Sequence, residues 1–469
     1  RLVGTASSDG TTTSNAYDCC GLSASRGADG VWTYYSRDKL GRTISTTRGG
    51  IARSVNSFDP MGNPLATTLS AGGVSIITSN DYNQAGRLKM AEDALGNKTS
   101  YAYAWGTGRL DTVTYPDGST SRSSTYADGR SRSSFGTAVY PSTQRYWIYS
   151  PVDGKDAWAT EELRYPDADP SSTSPEGVTT PVTNAVVHNM LGQVVERVAP
   201  SGATTAYEYD SAGRLVSETD PAGRVTLHRY DDLGRRTGTC LDVDGDGVWD
   251  ESGPDRITVV AREVAEKGGK IGVETTTSVY AESGSSSTTV VSRIFSSSDG
   301  MPSISEDIRG NVTTEAVSRT ANTRTVSVSY PDGTTSSQVH SNGLLVATTD
   351  RAGITVTRTY DAFHRLAGVV HPRTGATRYY YDLAGQVTNI VDTAGRSTSF
   401  VYDSRGRRTQ TILPAGSVVS NLYYATGKLK LNVGSQTYPT TYLYDGMGQL
   451  KRLGTHRNWH GCECVCGGS

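Results

Sequence analysis

The sequence is poor in bulky apolar residues and lacks long apolar runs. It contains 5 Phe, 5 Met and 35% hydrophobic residues in a chain of 469, which disfavours a thick hydrophobic core and favours thin sheets. No apolar run reaches the roughly 18 residues needed to cross a bilayer, so we expect no membrane span. The chain opens at "RLVGTASSDG" without a starting Met or an apolar signal region. We therefore expect an excised piece of a longer protein.

The sequence also lacks a charge excess and a cysteine framework. Its 45 basic and 47 acidic residues give a net charge of -2, which provides no field for nucleic acid or an anionic membrane. The six cysteines are unevenly spaced, which does not indicate a disulfide framework. They are Cys19, Cys20, Cys240, Cys462, Cys464 and Cys466. We interpret Cys19-Cys20 as decoration of a turn, with a vicinal disulfide as the alternative. The last three, with His460, are interpreted as a tail, with a soft-metal site as the alternative.

Catalytic signatures are missing too. The seven histidines are scattered, and their spacing singles out no Ser/His/Asp or Cys/His arrangement. Carboxylate pairs are too frequent at turns to indicate a glycosidase. We therefore predict a protein that is not an enzyme, and we rank last the alternative of an enzyme within residues 120–185, where the sequence "RYWIYSPVDGKDAW" is irregular.

What the sequence does contain is a repeat of 21 residues marked by tyrosine. A missed repeat misassigns a whole fold, so this period takes precedence over other patterns. Most of these tyrosines are followed by Asp, as in Tyr360-Asp361 and Tyr402-Asp403. The marker tyrosines of the regular copies are Tyr209, Tyr230, Tyr360, Tyr381, Tyr402, Tyr423 and Tyr444.

Each repeat predicts two short strands and two turns. Asp210 to Gly213 and Asp220 to Gly223 have turn chemistry, because Asp accepts backbone amides and Gly tolerates positive φ. The segments between them, "RLVSET" and "RVTLHRY", are rich in β-branched and aromatic residues. Such a hairpin is marginal alone and must pair with its neighbours, which predicts an all-β, solenoid-like curved sheet. We expect each marker Tyr to stack on its counterpart one repeat away, with about 0.5–1.5 kcal/mol per pair.

The motifs "YDSAGRL", "YDDLGRR", "YDLAGQV", "YDSRGRR" and "YDGMGQL" resemble the YD repeat of the Rhs family. That family includes bacterial polymorphic toxins, the cocoon components of insecticidal toxin complexes and the animal teneurins. The resemblance implies a β-sheet spiral that closes into a hollow shell, which surrounds a C-terminal effector in toxin members. The family's "DPxGxxGG"-like segment does not occur before the end of this sequence, so we assign no cleavage site or toxin.

The repeats suggest a division of the chain into seven segments. These are degenerate repeats over 1–119, an irregular strand and loop insertion over 120–185, regular repeats over 186–239, an acidic insertion over 240–259, divergent repeats over 260–348, regular 21-residue repeats over 349–456 and a Cys-rich tail over 457–469. The segment 260–348 keeps strand-like alternation, so we interpret it as repeats rather than as a linker.

The stretch "LDVDGDGVWDESGPDR" is the strongest candidate for a metal site. Its acidic residues match positions 1, 3, 5 and 9 of a calcium loop, Gly247 matches the sixth position, and the Val248 carbonyl is available at the seventh. The twelfth position is Gly253 rather than Glu, so Glu251 or Asp255 would have to complete the shell. The predicted calcium ligands are Asp242, Asp244, Asp246, Val248, Asp250 and Asp255. A solvated hairpin tip is the alternative.

The Arg that follows each turn Gly also needs an interpretation. Arg214, Arg235 and Arg407 occupy this position, where a row of guanidinium groups would suit anion binding. We favour a simpler interpretation, in which Arg pairs with a turn Asp of the adjacent repeat and keeps the sheet edges charged and soluble.

These observations predict a non-catalytic, secreted or surface-exposed bacterial scaffold whose sheet forms a shell for enclosure or adhesion. One alternative is the shell of a polymorphic toxin around an effector that lies beyond residue 469. A second alternative is a carbohydrate-binding surface that uses exposed Tyr and Trp as stacking platforms. The predicted partners are an encapsulated polypeptide or a surface glycan, with self-assembly possible and no nucleic acid. The tryptophans lie mostly outside the regular repeats, at Trp32, Trp105, Trp147, Trp158, Trp249 and Trp459.

Overall fold

The computed structural model describes residues 2–6, 12–19, 21–27, 29–49, 52–106, 108–149, 157–165, 181–280, 287–298, 302–320, 322–435 and 437–456. These residues form 39 β-strands. This part of the chain contains no helix, and therefore none that is long and apolar enough to cross a membrane. Cys20, Trp459, His460, Cys462, Cys464 and Cys466, about which we made predictions, lie outside the described residues.

The first strands in chain order are β1 (Leu2–Ala6), β2 (Thr12–Asp18), β3 (Gly21–Arg26), β4 (Trp32–Arg37), β5 (Thr43–Arg48), β6 (Ala52–Phe58), β7 (Pro64–Ala71), β8 (Val74–Tyr82), β9 (Leu88–Glu92), β10 (Lys98–Trp105), β11 (Arg109–Thr114), β12 (Thr120–Thr125) and β13 (Ser131–Phe135). The middle strands are β14 (Ser142–Tyr149), β15 (Ala157–Arg164), β16 (Val182–Asn189), β17 (Val194–Val198), β18 (Thr204–Tyr209), β19 (Leu215–Thr219), β20 (Val225–Tyr230), β21 (Arg236–Leu241), β22 (Arg256–Lys267), β23 (Lys270–Val279), β24 (Thr289–Ser297), β25 (Ser303–Asp307) and β26 (Val312–Arg319). The last strands are β27 (Thr323–Ser329), β28 (Thr335–Ser341), β29 (Leu344–Thr349), β30 (Thr355–Tyr360), β31 (Leu366–His371), β32 (Gly375–Tyr381), β33 (Val387–Val391), β34 (Ser397–Tyr402), β35 (Arg408–Ile412), β36 (Val418–Tyr423), β37 (Leu429–Gly434), β38 (Thr437–Tyr444) and β39 (Leu450–Thr455).

The strands pair antiparallel with strands that follow them in the chain. In one regular copy, Glu208 of β18 pairs with Ser217 of β19, which in turn pairs with Leu227 of β20. The turns Asp210–Gly213 and Asp220–Gly223 join these three strands. The prediction of an all-β fold built from two-strand repeats is confirmed.

By its internal contacts the chain divides into two discontinuous units. Unit 1 comprises residues 1–51, 146–160 and 184–359. Unit 2 comprises residues 52–145, 161–183 and 360–469. The two units do not follow the seven segments that we inferred from the sequence, and that division remains a prediction.

A β-bulge accompanies the marker tyrosines, and the sequence pattern did not reveal it. The register shifts by one residue between Glu208 and Tyr209, and again between Tyr380 and Tyr381. The pairing through the second turn of the repeat, from Ser217 to Val225, contains no such shift. The strand after each YD turn therefore carries one extra residue, which bends the strand locally.

Hydrogen bonds donated to the Asp carboxylate close the YD turn, as in the turn after Tyr209. Asp210 Oδ1 accepts the amides of Ala212 at 3.0 Å and Arg214 at 2.9 Å, while Oδ2 accepts Arg214 Nε at 2.7 Å. Gly213 adopts φ +80°, a conformation that Gly reaches without a Cβ clash. In the turn after Tyr360, His364 occupies the Gly position with φ +63°.

The sheet buries few apolar side chains. Only 13 hydrophobic residues of the described part of the chain are buried, too few for a conventional core under this many strands. In unit 1 a small cluster joins Ala157, Ala159 and Val187, with Val195 against it. The fold is therefore maintained mainly by strand pairing and turn hydrogen bonds between neighbouring repeats, as expected for a repeat protein.

Candidate functional site

The marker tyrosines connect each strand to the strand before it. In five of them the hydroxyl donates a hydrogen bond of 2.7–2.8 Å to a backbone carbonyl 15 residues earlier. The pairs are Tyr209 to Val194, Tyr230 to Leu215, Tyr381 to Leu366, Tyr402 to Val387 and Tyr423 to Arg408. The accepting residue begins the preceding strand, so the hydroxyl ties the hairpin together at its YD end.

The faces of these rings contact cations, where we expected a neighbouring tyrosine. The guanidinium carbon of Arg214 lies 5.0 Å from the Tyr230 ring centre, and that of Arg365 lies 4.6 Å from the Tyr381 ring centre. Successive marker tyrosines are two strands apart, roughly 9.6 Å, which exceeds the 4.5–7 Å range of ring stacking. An arginine from the preceding turn fills this interval instead and supplies a cation–π contact.

The arginines pair differently from our expectation. Arg214 binds Asp210 of its own turn at 2.7 Å rather than a carboxylate of the next repeat. Its contact with the next repeat is a hydrogen bond from Nη1 to the backbone carbonyl of Asp231, at 3.1 Å. Arg365 repeats the pattern with the carbonyl of Asp382 at 2.9 Å. The reason is geometric. The arginine lies four residues after the Asp of its own turn, so that carboxylate is closer than the carboxylate of the next repeat.

The acidic stretch forms a loop between β21 and β22 in unit 1. Carboxylate oxygens of Asp242, Asp244 and Asp246 all lie within 4.8 Å of one another. Asp242 is buried, and it accepts the amides of Gly245 and Gly247 at 2.6 and 2.8 Å. Two oxygens bound to one calcium at about 2.4 Å can be at most about 4.8 Å apart. The three carboxylates therefore fit around a single calcium ion.

The carboxylates of the acidic loop repel one another, and the pKa values of Asp244 and Asp242 are shifted. Burial and the neighbouring Asp246 raise the pKa of Asp244, although the amide of Asp246 opposes the rise. Burial also acts to raise the pKa of Asp242, but the amides of Gly247 and Gly245 outweigh it, and that pKa is lowered. A proton or a cation on the Asp244 side would relieve the repulsion.

The other predicted ligands have different roles in the loop. Asp255 is buried and accepts the amides of Val243 and Asp250 at 3.0 and 3.1 Å, so it closes the loop. Asp250 Oδ1 accepts the amide and hydroxyl of Ser252 at 2.9 and 2.8 Å. The structure thus brings together three of the six predicted ligands, and the Val248 side chain is exposed.

Cys240 lies beneath this loop and is chemically quiet. Its thiol is fully buried and donates to Asp255 Oδ2 at 3.2 Å. Burial and the Asp255 carboxylate raise the pKa of this thiol to about 12, so it stays protonated at neutral pH. Cys19, in contrast, is exposed.

A cluster in unit 2 escaped the sequence analysis. Asp117 Oδ2, in the turn after β11, lies 3.1 Å from Arg407 Nη2 and 3.5 Å from Arg405 Nη1, although these arginines follow it by almost 290 residues. Arg405 also donates to Ser119 Oγ at 3.0 Å and lies 4.2 Å from the Tyr115 ring centre. The turn "YPDGS" looks like any other Asp-Gly turn, so no local signal could have indicated this contact.

The tryptophans differ in how far they are available to a ligand. Trp158 is stacked on His188 at 4.0 Å, and Trp249 lies under Arg229 at 4.3 Å. Trp105 is 66% exposed and Trp147 is 39% exposed. Trp105 is therefore the better candidate for a stacking platform.

Part of the chain matches a known family of repeats. The RHS Repeat family model matches residues 188–225, 209–239, 340–376 and 381–418, which together are less than half of the chain. A search of the curated proteins finds no significant match. Two similar solved structures are TcdB2-TccC3 without its hypervariable C-terminal region (12% identity, TM-score 0.49, 92% of this chain and 26% of that chain) and the Photorhabdus luminescens Tc holotoxin pore (13% identity, TM-score 0.47, 93% and 26%).

This chain spans about a quarter of the length of the solved chains that it matches, 26% in both cases. The four family matches coincide with the hairpins whose turns are closed by Asp and whose strands are tied by Tyr. The chain therefore contains RHS repeats over these matched residues.

Proposed function

We propose that this chain is wall material of a non-catalytic β-shell that encloses a polypeptide outside the bacterial cell. The observation that carries the proposal is the long series of antiparallel hairpins in the described part of the chain, many of them closed by an Asp turn and several tied by a Tyr hydroxyl. Such a wall gains its stability from neighbouring repeats rather than from a central core. A cargo can then occupy the enclosed space without displacing structural side chains.

Electron microscopy of the purified chain tests this proposal. We expect curved walls one sheet thick, about 10 Å between the outer limits of the side chains, around a solvent-filled interior. A solid particle with a filled centre would contradict the shell. Treatment with a protease provides a second measurement, because paired and turn-locked hairpins should resist cleavage while a compact multidomain chain should release fragments.

We further propose that the acidic loop binds calcium. The three clustered carboxylates of Asp242, Asp244 and Asp246 support this, since calcium prefers hard oxygen ligands. The ion would neutralise the loop and hold it in the conformation that Asp255 closes. Val248 through its carbonyl, Asp250 and Asp255 remain candidates for completing the coordination.

Removal of calcium should lower the melting temperature of unit 1. At a calcium concentration 100 times the Kd, binding stabilises the folded state by about 2.7 kcal/mol, which a chelator should abolish. Asp244→Asn should remove the response to the chelator, whereas Asp231→Asn, in a turn of unit 1 outside the acidic loop, should retain it. An identical melting curve with and without chelator in the unsubstituted chain would favour the solvated turn.

A second candidate function is glycan binding at the surface, which the exposure of Trp105 favours. A flat indole in solvent is suited to stacking against a ring-shaped ligand. This function does not require a closed shell, and the two can coexist in one molecule.

A further inference from the structure

The YD-type turn after Tyr82, in unit 2, lacks the carboxylate that most of its counterparts carry. In "YNQAGRL", Asn83 stands where Asp210, Asp361 and Asp403 stand in other turns. Asn83 Oδ1 still accepts the amides of Ala85 and Arg87, both at 3.0 Å, so the turn forms normally. The substitution changes the charge of the turn and leaves its fold intact.

The loss of this carboxylate leaves Arg87 without the ion pair that arginines form in other turns. In the counterpart turns the arginine binds its Asp at 2.7 Å, as Arg214, Arg365 and Arg407 do. Among the described residues, no carboxylate lies within ion-pair distance of Arg87. Its guanidinium carbon lies instead 5.0 Å from the Trp105 ring centre and 5.5 Å from the Tyr103 ring centre.

The neighbouring charges leave Arg87 as the cation without a counter-ion. Arg109, which also contacts the Tyr103 ring, binds Asp111 at 2.6 Å. Lys89 binds Asp81 at 3.2 Å. These two pairs are neutral as units, whereas the Arg87 guanidinium over Trp105 has no ion-pair partner among the described residues.

A planar cation beside an exposed indole suits a ligand with a ring and an anionic group. The guanidinium presents two parallel N–H donors that match a carboxylate. The Trp105 ring, 66% exposed, offers an apolar face to a ring. A long polyanion such as nucleic acid is disfavoured, because the chain's net charge of -2 gives no attraction beyond this single site.

We propose that Arg87 and Trp105 form a binding site for a sugar that bears a carboxylate. Arg87 lies over the Trp105 ring, so the sugar ring stacks on the indole surface that Arg87 leaves exposed, and its carboxylate accepts hydrogen bonds from Arg87. Asn83 is the specificity-determining position, because an Asp there would occupy the guanidinium as in the other turns. This inference rests on the glycan-binding candidate and is independent of enclosure.

Titration of the whole chain with three sugars tests the site. The probes are 3′-sialyllactose and a glucuronic acid disaccharide, which separate two sources of the carboxylate, and neutral lactose. We expect at least one acidic sugar to bind at least 10-fold more tightly than lactose, measured by calorimetry or by ligand-observed NMR. Trp105→Ala should reduce that binding at least 10-fold.

The decisive variant is Asn83→Asp. It should weaken binding of the acidic sugar at least 10-fold without lowering the melting temperature, because the repeat turn accommodates Asp at this position. The matched control is Asn189→Asp, the same substitution in a turn whose fifth residue is Gln193 rather than Arg. This control should bind the acidic sugar like the unsubstituted chain.

Three results would overturn the inference. If Asn83→Asp binds the acidic sugar as tightly as the unsubstituted chain, Arg87 does not bind the carboxylate. Equal binding of lactose and the acidic sugars would refute recognition of the carboxylate, although glycan binding itself would still be supported. Absence of binding for all three sugars would refute the site and weaken the glycan candidate, while the electron microscopy of the shell would be unaffected.

Discussion

Replacing Asp117 with Asn should destabilise unit 2 by about 2–3 kcal/mol. The carboxylate is only 21% exposed and contacts two arginines whose side chains are 17% and 19% exposed. Arg407 keeps its own turn carboxylate, Asp403, at 2.7 Å. Removing the Asp117 charge nevertheless leaves the partly buried Arg405 guanidinium without an ion-pair partner among the described residues, which costs more than the loss of a surface pair. The contact joins parts of unit 2 that are distant in sequence, so its loss is not repaired locally.

Asp128→Asn is the matched control for this substitution. Asp128 occupies the same position of the following turn, in "YADGR" against "YPDGS". Its carboxylate is 48% exposed and binds Arg130 at 2.7 Å, so its removal should have a much smaller effect. Urea denaturation, together with hydrogen exchange of residues 115–119 and 403–407, measures the difference. Equal effects of the two substitutions would show that the Asp117 contact does not stabilise unit 2.

Acidification should lower the stability of the folded protein in two stages. Burial, together with the positive charge of Arg197, lowers the pKa of His188, and burial and Arg236 lower that of His228. The unfolded chain therefore takes up protons first, and stability should fall as the pH decreases below about 6.5 and level off below the folded pKa values. This first stage should be shallow, since it involves two side chains of unit 1.

The second stage should be steep because the turn carboxylates act together. The Arg214 amide and guanidinium lower the pKa of Asp210, and equivalent groups of Arg235 and Arg396 act on Asp231 and Asp392. A lowered folded pKa means that these contributions are present above the unfolded value, about 3.9, and are lost as the pH falls through the folded values. Because every turn closes a hairpin, the losses add along the sheet.

Melting temperatures between pH 7.5 and 2.5 at constant ionic strength measure both stages. A variant with His188→Gln and His228→Gln should flatten the curve between pH 6.5 and 5 and leave the acid limb unchanged. A curve of the unsubstituted chain that is level down to pH 5 would contradict the histidine stage. A gradual decline without a steep limb below pH 4 would contradict the role of the turns.

The repeat could be predicted from the sequence because its signals are local. A turn needs its Asp and Gly within four residues, and strand alternation is visible within six. The positions of Tyr209, Asp210 and Gly213 thus indicate a hairpin without knowledge of the rest of the chain. The clustering of Asp242, Asp244 and Asp246 was foreseeable for the same reason.

The remaining features depend on strand register and on distant contacts. The ring partner of Tyr230 depends on the spacing between strands, because one strand, β19, lies between Tyr230 and Tyr209 and keeps their rings apart. The contact of Asp117 with Arg407 joins residues nearly 290 apart, which no periodicity encodes. The neutral turn at Asn83 was visible as a departure from the motif, but its importance requires knowing that Trp105 lies beside Arg87.

The bulge after each marker Tyr fixes the slant of the sheet. Pairing leads from Glu208 through Ser217 to Leu227, yet the residue equivalent to Glu208 in the next copy is Arg229. Corresponding positions are therefore displaced by two residues, about 6.8 Å along the strand for each 9.6 Å across it. The strands consequently incline by about 35° to the line along which copies succeed one another. Gain or loss of one whole copy preserves this inclination, whereas a change of a few residues interrupts it.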